Sequence, residues 1–260
     1  MIDIEYLKSF YPPYLSSSLT MQKNILKEYI ELLVLDYLVT TPYIQKLTFI
    51  GGTNLRLIKG IQRFSEDLDF DCKNLTEAEF IKMTDSVVSF LKANGFSVET
   101  NDKENPRLTA YRRNILFPGL LYEMGLTRHK EERFLLKIEA QDQGVDYARE
   151  VKTISRNGFH FMVPSPSDAT ICAMKLVAVI KRGKGRDFYD SMFLLQQTTP
   201  DYSFLEAKAG VSNTEQLKNA IESTLAHTDL NIKQKDFVHL AFNPSSTSRI
   251  LDFKSVIDAL

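Results

Sequence analysis

Residues 51–70 read Gly-Gly-Thr-Asn-Leu-Arg-Leu-Ile-Lys-Gly-Ile-Gln-Arg-Phe-Ser-Glu-Asp-Leu-Asp-Phe, joining a paired glycine to two alternating carboxylates. That combination suits metal-dependent nucleotide transfer. A glycine turn offers N–H groups to phosphate oxygens. In a strand of period two, Asp67, Asp69 and Asp71 share one face, with Leu68 and Phe70 on the other. Carboxylates side by side repel each other, and a hard cation such as Mg²⁺ or Mn²⁺ is the usual reason a chain tolerates them. Each half alone is commonplace, as a plain turn or a solvated sheet face. The order strand, glycine turn, helix, acidic strand is what selects the chemistry.

The elements that must position these groups follow from the flanking pattern. The apolar run Lys46 to Ile50 reads as a strand entering the Gly51-Gly52 turn, and Thr53 opens a short helix, Asn54 to Lys59, whose N-terminus favours an anion. After Gly60 the chain returns through Arg63, Phe64 and Ser65 into a strand, Glu66 to Phe70. A strand Phe134 to Ala140, paired beside it, presents Lys137 and Glu139 on one face. Glu139 is then a third carboxylate for the metal or for the acceptor's proton, in competition with Asp71, and a cross-strand Lys/Glu surface pair is the plainer alternative. Further on, Ser167 or Asp168 caps a helix in which Lys175 is the only charge between Ala169 and Ile180. A buried ammonium must snorkel out or meet an anion, here Asp187, Asp190 or a substrate phosphate. Lys181-Arg182-Gly183-Lys184-Gly185-Arg186 reads as a basic turn able to clamp a triphosphate or a nucleic-acid backbone. In the next helix Asp187 and Asp190 lie three apart on one face, Asp187 as a cap and Asp190 as the better partner for Lys175.

The pattern Gly-Gly-Thr…Leu-Arg…Arg-Phe-Ser-Glu-Asp-Leu-Asp-Phe resembles the AbiEii/AbiGii-type toxin branch of the nucleotidyltransferase superfamily, a distant relative of the DNA polymerase beta fold. With Lys137-Ile138-Glu139 and Lys175…Arg186-Asp187-Phe188-Tyr189-Asp190, the resemblance covers roughly residues 45–195. It implies Asp67 and Asp69 as metal ligands, Gly51 and Gly52 at the phosphates, and Lys175 and Asp190 nearby. With Glu139 from the strand reading, the candidate metal set is Asp67, Asp69 and Glu139 and the candidate catalytic set adds Lys175 and Asp190; Gly51, Gly52, Thr53, Arg56, Ser65, Lys184 and Arg186 are the candidates at the nucleotide. It further implies a nucleoside triphosphate as donor, tRNA as leading acceptor, a cognate antitoxin, and the toxin role of a type IV-like toxin–antitoxin or phage-defence system. An aminoglycoside-type small-molecule nucleotidyltransferase, with an acidic acceptor cleft, and a nucleotide-binding regulator without turnover are the alternatives.

The remaining sequence sets the frame. The chain has 260 residues, 43% hydrophobic and 25% charged, and a formal net charge of −1, so no global positive field points to nucleic acid. Cys72 and Cys172 sit in apolar surroundings and read as buried thiols, which suits a reducing cytoplasm. His129, His160, His227 and His239 show no metal-ligand spacing. The most apolar early stretch, Ile30 to Val39, is interrupted by Glu31 and Asp36 and is too short to span a bilayer. Helices are expected over Leu19 to Val39, over Thr76 to Asn94 with a Thr76/Glu79 capping box and Gly95 as stop, near Thr214 to Ala226, and from Ser248 to Leu260. Further strands are expected over Phe96 to Thr100, Asn114 to Phe117 and Val151 to Ser155, with turns at Asn105-Pro106, Pro118-Gly119, Asn157-Gly158 and Asn243-Pro244. The expected architecture is α+β. Residues 1–165 form a nucleotidyltransferase core with an antiparallel or mixed sheet and flanking helices, and residues 166–260 form a helical region that completes the active site.

Overall fold

A computed structural model describes residues 3–100 and 110–260. The chain separates into two compact units: residues 1–60, 64–143 and 151–165 form the first, and residues 61–63, 144–150 and 166–260 the second.

The first unit is built on a five-stranded sheet of order β1-β2-β5-β4-β3, with β1 (Leu47–Ile50), β2 (Asp67–Cys72), β3 (Glu99–Thr100), β4 (Tyr111–Leu116) and β5 (Leu135–Gln141). The β2–β5 pair is parallel and the other three are antiparallel, which gives the mixed sheet expected of an α+β chain. Two-residue alternation buries Leu68 and Phe70 and leaves Asp67 and Asp69 on the opposite face. Helix α1 (Ile4–Lys8) and the long α2 (Leu19–Val39) belong to this unit; α2 is capped by Ser18, whose hydroxyl accepts from the Met21 N–H, and buries Ile25, Leu26, Ile30, Val34, Leu35 and Leu38. Between β1 and β2 lies α3 (Gly51–Asn54). Helix α4 (Glu77–Ala93) carries the capping box read from the sequence, Glu79 reaching back to Thr76 as the Thr76 hydroxyl accepts from the Glu79 N–H. A short α5 (Leu120–Glu123) follows β4, and a hairpin of β6 (Arg149–Arg156) and β7 (Phe159–Pro166) forms a second sheet.

The second unit is helical: α6 (Asp168–Arg182), α7 (Gly185–Leu195), α8 (Tyr202–Ala209), α9 (Thr214–Leu225), α10 (Leu230–Lys233) and α11 (Phe253–Asp258). Its core gathers Phe188 against Phe253 and Tyr189 against Phe237.

Several boundaries differ from the sequence reading. Strand β7 was not expected; Pro164 lies inside it and Pro166 is its last residue, which an edge strand of a two-stranded sheet tolerates. The strand expected at Phe96 to Thr100 shrinks to Glu99–Thr100. The C-terminal helix from Ser248 divides into a 3-10 segment, Pro244–Asp252, and α11. The turn at Asn105-Pro106 lies outside the described residues. Both cysteines are free and buried, and burial pushes the Cys172 thiol up to about 12. Among the described residues no helix is long and apolar enough to cross a membrane.

Candidate active site

The helix after β1 starts at Gly51 itself, two residues before the expected start at Thr53, and passes through a π turn, Leu55–Lys59, before Gly60 stops it in the left-handed region. Thr53 cannot cap it, because its hydroxyl donates to the Asp67 carbonyl oxygen at 2.5 Å. Gly51 has φ +82°, and a Cβ there would overlap the Asp69 carboxylate and lie 2.7 Å from Asp69 Cβ. Only glycine meets both conditions, so the turn and the acidic strand are in van der Waals contact at that point. The register explains the approach, since Ile50 pairs with Asp69 across the β1–β2 ladder.

Across the parallel ladder Asp67 stands opposite Lys137 and Asp69 opposite Glu139, while Arg112 pairs with Glu139 from β4. Lys137 Nζ lies 3.1 Å from Asp67 Oδ2 and 3.9 Å from Glu139 Oε1, and Arg112 Nε is 2.6 Å from Glu139 Oε1. The face thus alternates anions and cations, all of these side chains half-buried. Asp71 is removed from the set: it is 2% exposed, and its Oδ1 accepts the Gln143 backbone N–H at 2.9 Å. Among the described residues no three His, Cys, Asp or Glu side chains converge as a metal cage. The expected third ligand, Glu139, is engaged by Arg112. Asp67 and Asp69 still fit a divalent cation of the Mg²⁺ kind, which is commonly held by one or two carboxylates together with substrate phosphates.

Arg56, expected at the nucleotide, is instead part of the framework. It is 4% exposed and its Nε donates to Glu28 Oε2 at 2.6 Å, with Nη2 3.2 Å from Oε1. Glu28 also accepts from the Tyr11 hydroxyl at 2.8 Å, so α2 grips the π turn through one buried carboxylate. Gly52, Thr53 and Ser65 are buried too, and Gly51 is half-buried. Next to this network Glu31 is 1% exposed and neither carboxyl oxygen has a hydrogen-bond partner among the described residues. Burial holds its carboxyl well above the ordinary range; Lys27 opposes this, while Glu28, Asp67 and Glu66 add repulsion.

In the second unit Ser167 caps α6, accepting from the Thr170 N–H, and orients the helix so that Lys175 Nζ meets Asp190 Oδ2 of α7 at 2.8 Å. The same carboxylate accepts Arg63 Nε at 2.7 Å and Nη2 at 2.6 Å. Arg63 and Asp190 are fully buried and Lys175 is 7% exposed. Burial pushes the Asp190 carboxyl up, but Arg63 and then Lys175 outweigh it and hold it below the usual carboxylate range. Two buried cations therefore share this one carboxylate. Asp187 is spent on Arg182, at 2.9 and 2.8 Å, and on the Lys184 N–H at 3.2 Å. The basic turn is only the Gly183-Lys184 junction, because Lys181 and Arg182 belong to α6 and Arg186 to α7; Lys184 is exposed and Arg186 half-buried.

Sequence reasoning paired Lys175 with Asp190 but missed Arg63 and Arg112. Arg63 stands 127 residues from Asp190, and nothing local marks it as a partner. Arg112 could have been found only by aligning a strand beginning at Tyr111 against Leu135–Gln141.

Residues 33–255 match the family described as nucleotidyl transferase AbiEii toxins of type IV toxin–antitoxin systems. Among solved structures, the MenT4 nucleotidyltransferase toxin of Mycobacterium tuberculosis H37Rv superposes with a TM-score of 0.63 at 16% identity, covering 100% of this chain and 91% of its own. JHP933 of Helicobacter pylori superposes with a TM-score of 0.53 at 20% identity, covering 91% of this chain and 90% of its own. At these identities the likeness is one of fold. No curated protein matches the sequence.

Proposed function

Because the chain belongs to the AbiEii family of nucleotidyl transferase toxins, we propose that it moves a nucleoside monophosphate from a nucleoside triphosphate to an acceptor RNA, with tRNA the leading acceptor. An acceptor hydroxyl oxygen forms the new bond to the α-phosphorus and gives up its proton to solvent, the bond from the α-phosphorus to the α–β bridging oxygen breaks, and pyrophosphate leaves. The observation that carries the reading is the Asp67/Asp69 pair on one face of β2, with Gly51 packed against Asp69. Asp67 and Asp69 would hold Mg²⁺ or Mn²⁺, which when bound would supply neutralisation of charge on the phosphate oxygens. Lys137 and Arg112 keep the carboxylate face oriented through Asp67 and Glu139. Gly51 and Gly52 approach the phosphates with backbone N–H groups, and Lys175, whose carboxylate partner is already shared with Arg63, offers its charge to a substrate phosphate. A cognate antitoxin protein is the expected partner, and the cytoplasm the expected compartment.

The test incubates the purified chain with each α-labelled triphosphate, total cellular RNA and Mg²⁺ or Mn²⁺. Label should enter RNA with the parent, and Asp67→Asn or Asp69→Asn should lower the rate by about a hundredfold or more. Label that stays in the nucleotide pool with every triphosphate and either metal would refute the transfer.

A further inference from the structure

The helical unit carries a second basic feature, displaced from Lys175 along α6. An open groove of about 580 Å³ runs between the end of α6, the last turns of α9 and the end of α10. Lys181, Arg182, His227 and Lys233 line it together with Ser223, Thr224 and Thr228, and among the described residues no carboxylate does. Arg182 is held by Asp187, but no described residue pairs with the side chains of Lys181, His227 or Lys233. A chain of net charge −1 does not gather unpaired cations by general basicity. Basic side chains at a helix C-terminus offset its dipole, which accounts for Lys181 at the end of α6. It does not account for a second lysine brought into the same concavity from sequence far away. A backbone contact brings it there: a Cβ at Gly185 would lie 2.8 Å from the Lys233 carbonyl carbon and 3.0 Å from Phe237, so α10 is held directly against the α6–α7 junction. Two lysines facing one concavity that no carboxylate lines make a place that suits an anion.

We infer that this groove binds phosphate groups, those of the acceptor polynucleotide strand, at a site on the helical unit distinct from the Asp67/Asp69 face. Lysine ammonium groups and hydroxyls suit tetrahedral phosphate oxygens, and an open groove admits a continuous strand. Lys181 lies six residues beyond Lys175 on α6, about 9 Å along the axis at 1.5 Å per residue. The identity of the strand as acceptor rests on the transfer reading above; the phosphate chemistry of the groove does not.

The experiment uses the full chain and a fluorescein-labelled single-stranded RNA, followed by anisotropy across a salt series, with ATP and tripolyphosphate binding measured in parallel. The Lys181→Gln/Lys233→Gln double variant should bind RNA about tenfold more weakly at 0.15 M salt, with a slope of log K against log salt shallower by about 1.4, the value for two lost single-strand phosphate contacts. ATP affinity should stay within twofold, and Lys181→Arg/Lys233→Arg should retain RNA binding. RNA affinity within twofold of the parent, in a glutamine variant with an unchanged melting point, overturns the proposal. Unchanged RNA binding with weakened tripolyphosphate binding assigns the groove to free polyphosphate and overturns the strand. Asp67→Asn separates this result from the transfer reading: it should abolish transfer while keeping RNA binding. If it transfers normally while the glutamine variant loses RNA, the transfer mechanism falls and the groove stands.

Discussion

Asp190→Asn and Lys175→Met alter neighbouring groups of one buried cluster, yet charge balance predicts different consequences. Asp190 accepts three charged hydrogen bonds, two from Arg63 and one from Lys175. Its replacement by asparagine leaves two cations buried without their shared carboxylate. Breaking a buried pair in this way costs about 3–5 kcal/mol, a large share of a total stability of about 5–15 kcal/mol. At about 2–4 °C per kcal/mol for a chain of this size, the melting point should fall by roughly 10 °C. Lys175→Met leaves the Arg63–Asp190 pair intact, one charge against one, and methionine replaces the aliphatic stem at similar volume. Stability should then stay within about 1 kcal/mol, while transfer falls by about a hundredfold if the ammonium meets a substrate phosphate. The pH dependence follows from the same carboxylate. Because its folded-state value is depressed, Asp190 contributes stability above the unfolded carboxyl's ordinary value of about 3.9, and that contribution is lost as pH falls through the lower folded value. The acid limb of the parent should therefore be steeper than that of Asp190→Asn. Thermal melts by circular dichroism from pH 3 to 8, with transfer assayed on the same preparations, read both effects. A loss of less than about 1 kcal/mol for Asp190→Asn, or equal destabilisation by the two variants, would refute the charge-balance reasoning.

Three other substitutions probe the first unit. Gly51→Ala requires a left-handed backbone costing about 1–2 kcal/mol and displaces the Asp69 carboxylate, so transfer should drop further than the modest melting shift suggests; a fully active, unshifted variant would contradict the packing. Glu31→Gln should gain on the parent as pH rises: the raised folded-state value means the native chain keeps a proton that the unfolded chain gives up above about 4.5, so parent stability declines from there toward the higher folded value. Urea titrations at pH 4.5 and pH 8 compare the two, and a gap that does not widen counts against a buried neutral carboxyl. Arg56→Met leaves Glu28 only the half-buried Arg156, 3.4 Å away, and the Tyr11 hydroxyl, and should cost less than the about 3–5 kcal/mol of a fully broken buried pair, whereas a nucleotide contact at Arg56 would instead weaken ATP binding without moving the melting point.

How much of this was legible follows from which forces are local. The alternation of Asp67 to Phe70, the cap and capping box of the Thr76 helix, and the near-continuous apolar run around Lys175 express backbone periodicity and orphan N–H groups, which neighbouring residues decide. The need of Lys175 for an anion was legible for the same reason. Strand β7 was missed because its prolines violate a local rule that only the hairpin partner relaxes.

The sequence by itself determined the residue types, their faces on each element and the order of glycine turn and acidic strand, because these depend on chain geometry within a few residues. Only the tertiary structure decided which charges meet. Glu28 claims Arg56, Arg112 claims Glu139, Gln143 claims Asp71, and Arg63 joins Lys175 on Asp190. Each is a long-range pairing set by strand register or helix packing, and a buried charge takes whichever partner the fold brings within hydrogen-bond reach. The same packing, through the glycine contact between Gly185 and Lys233, gathers unpaired cations into a groove that no segment of the chain encodes alone.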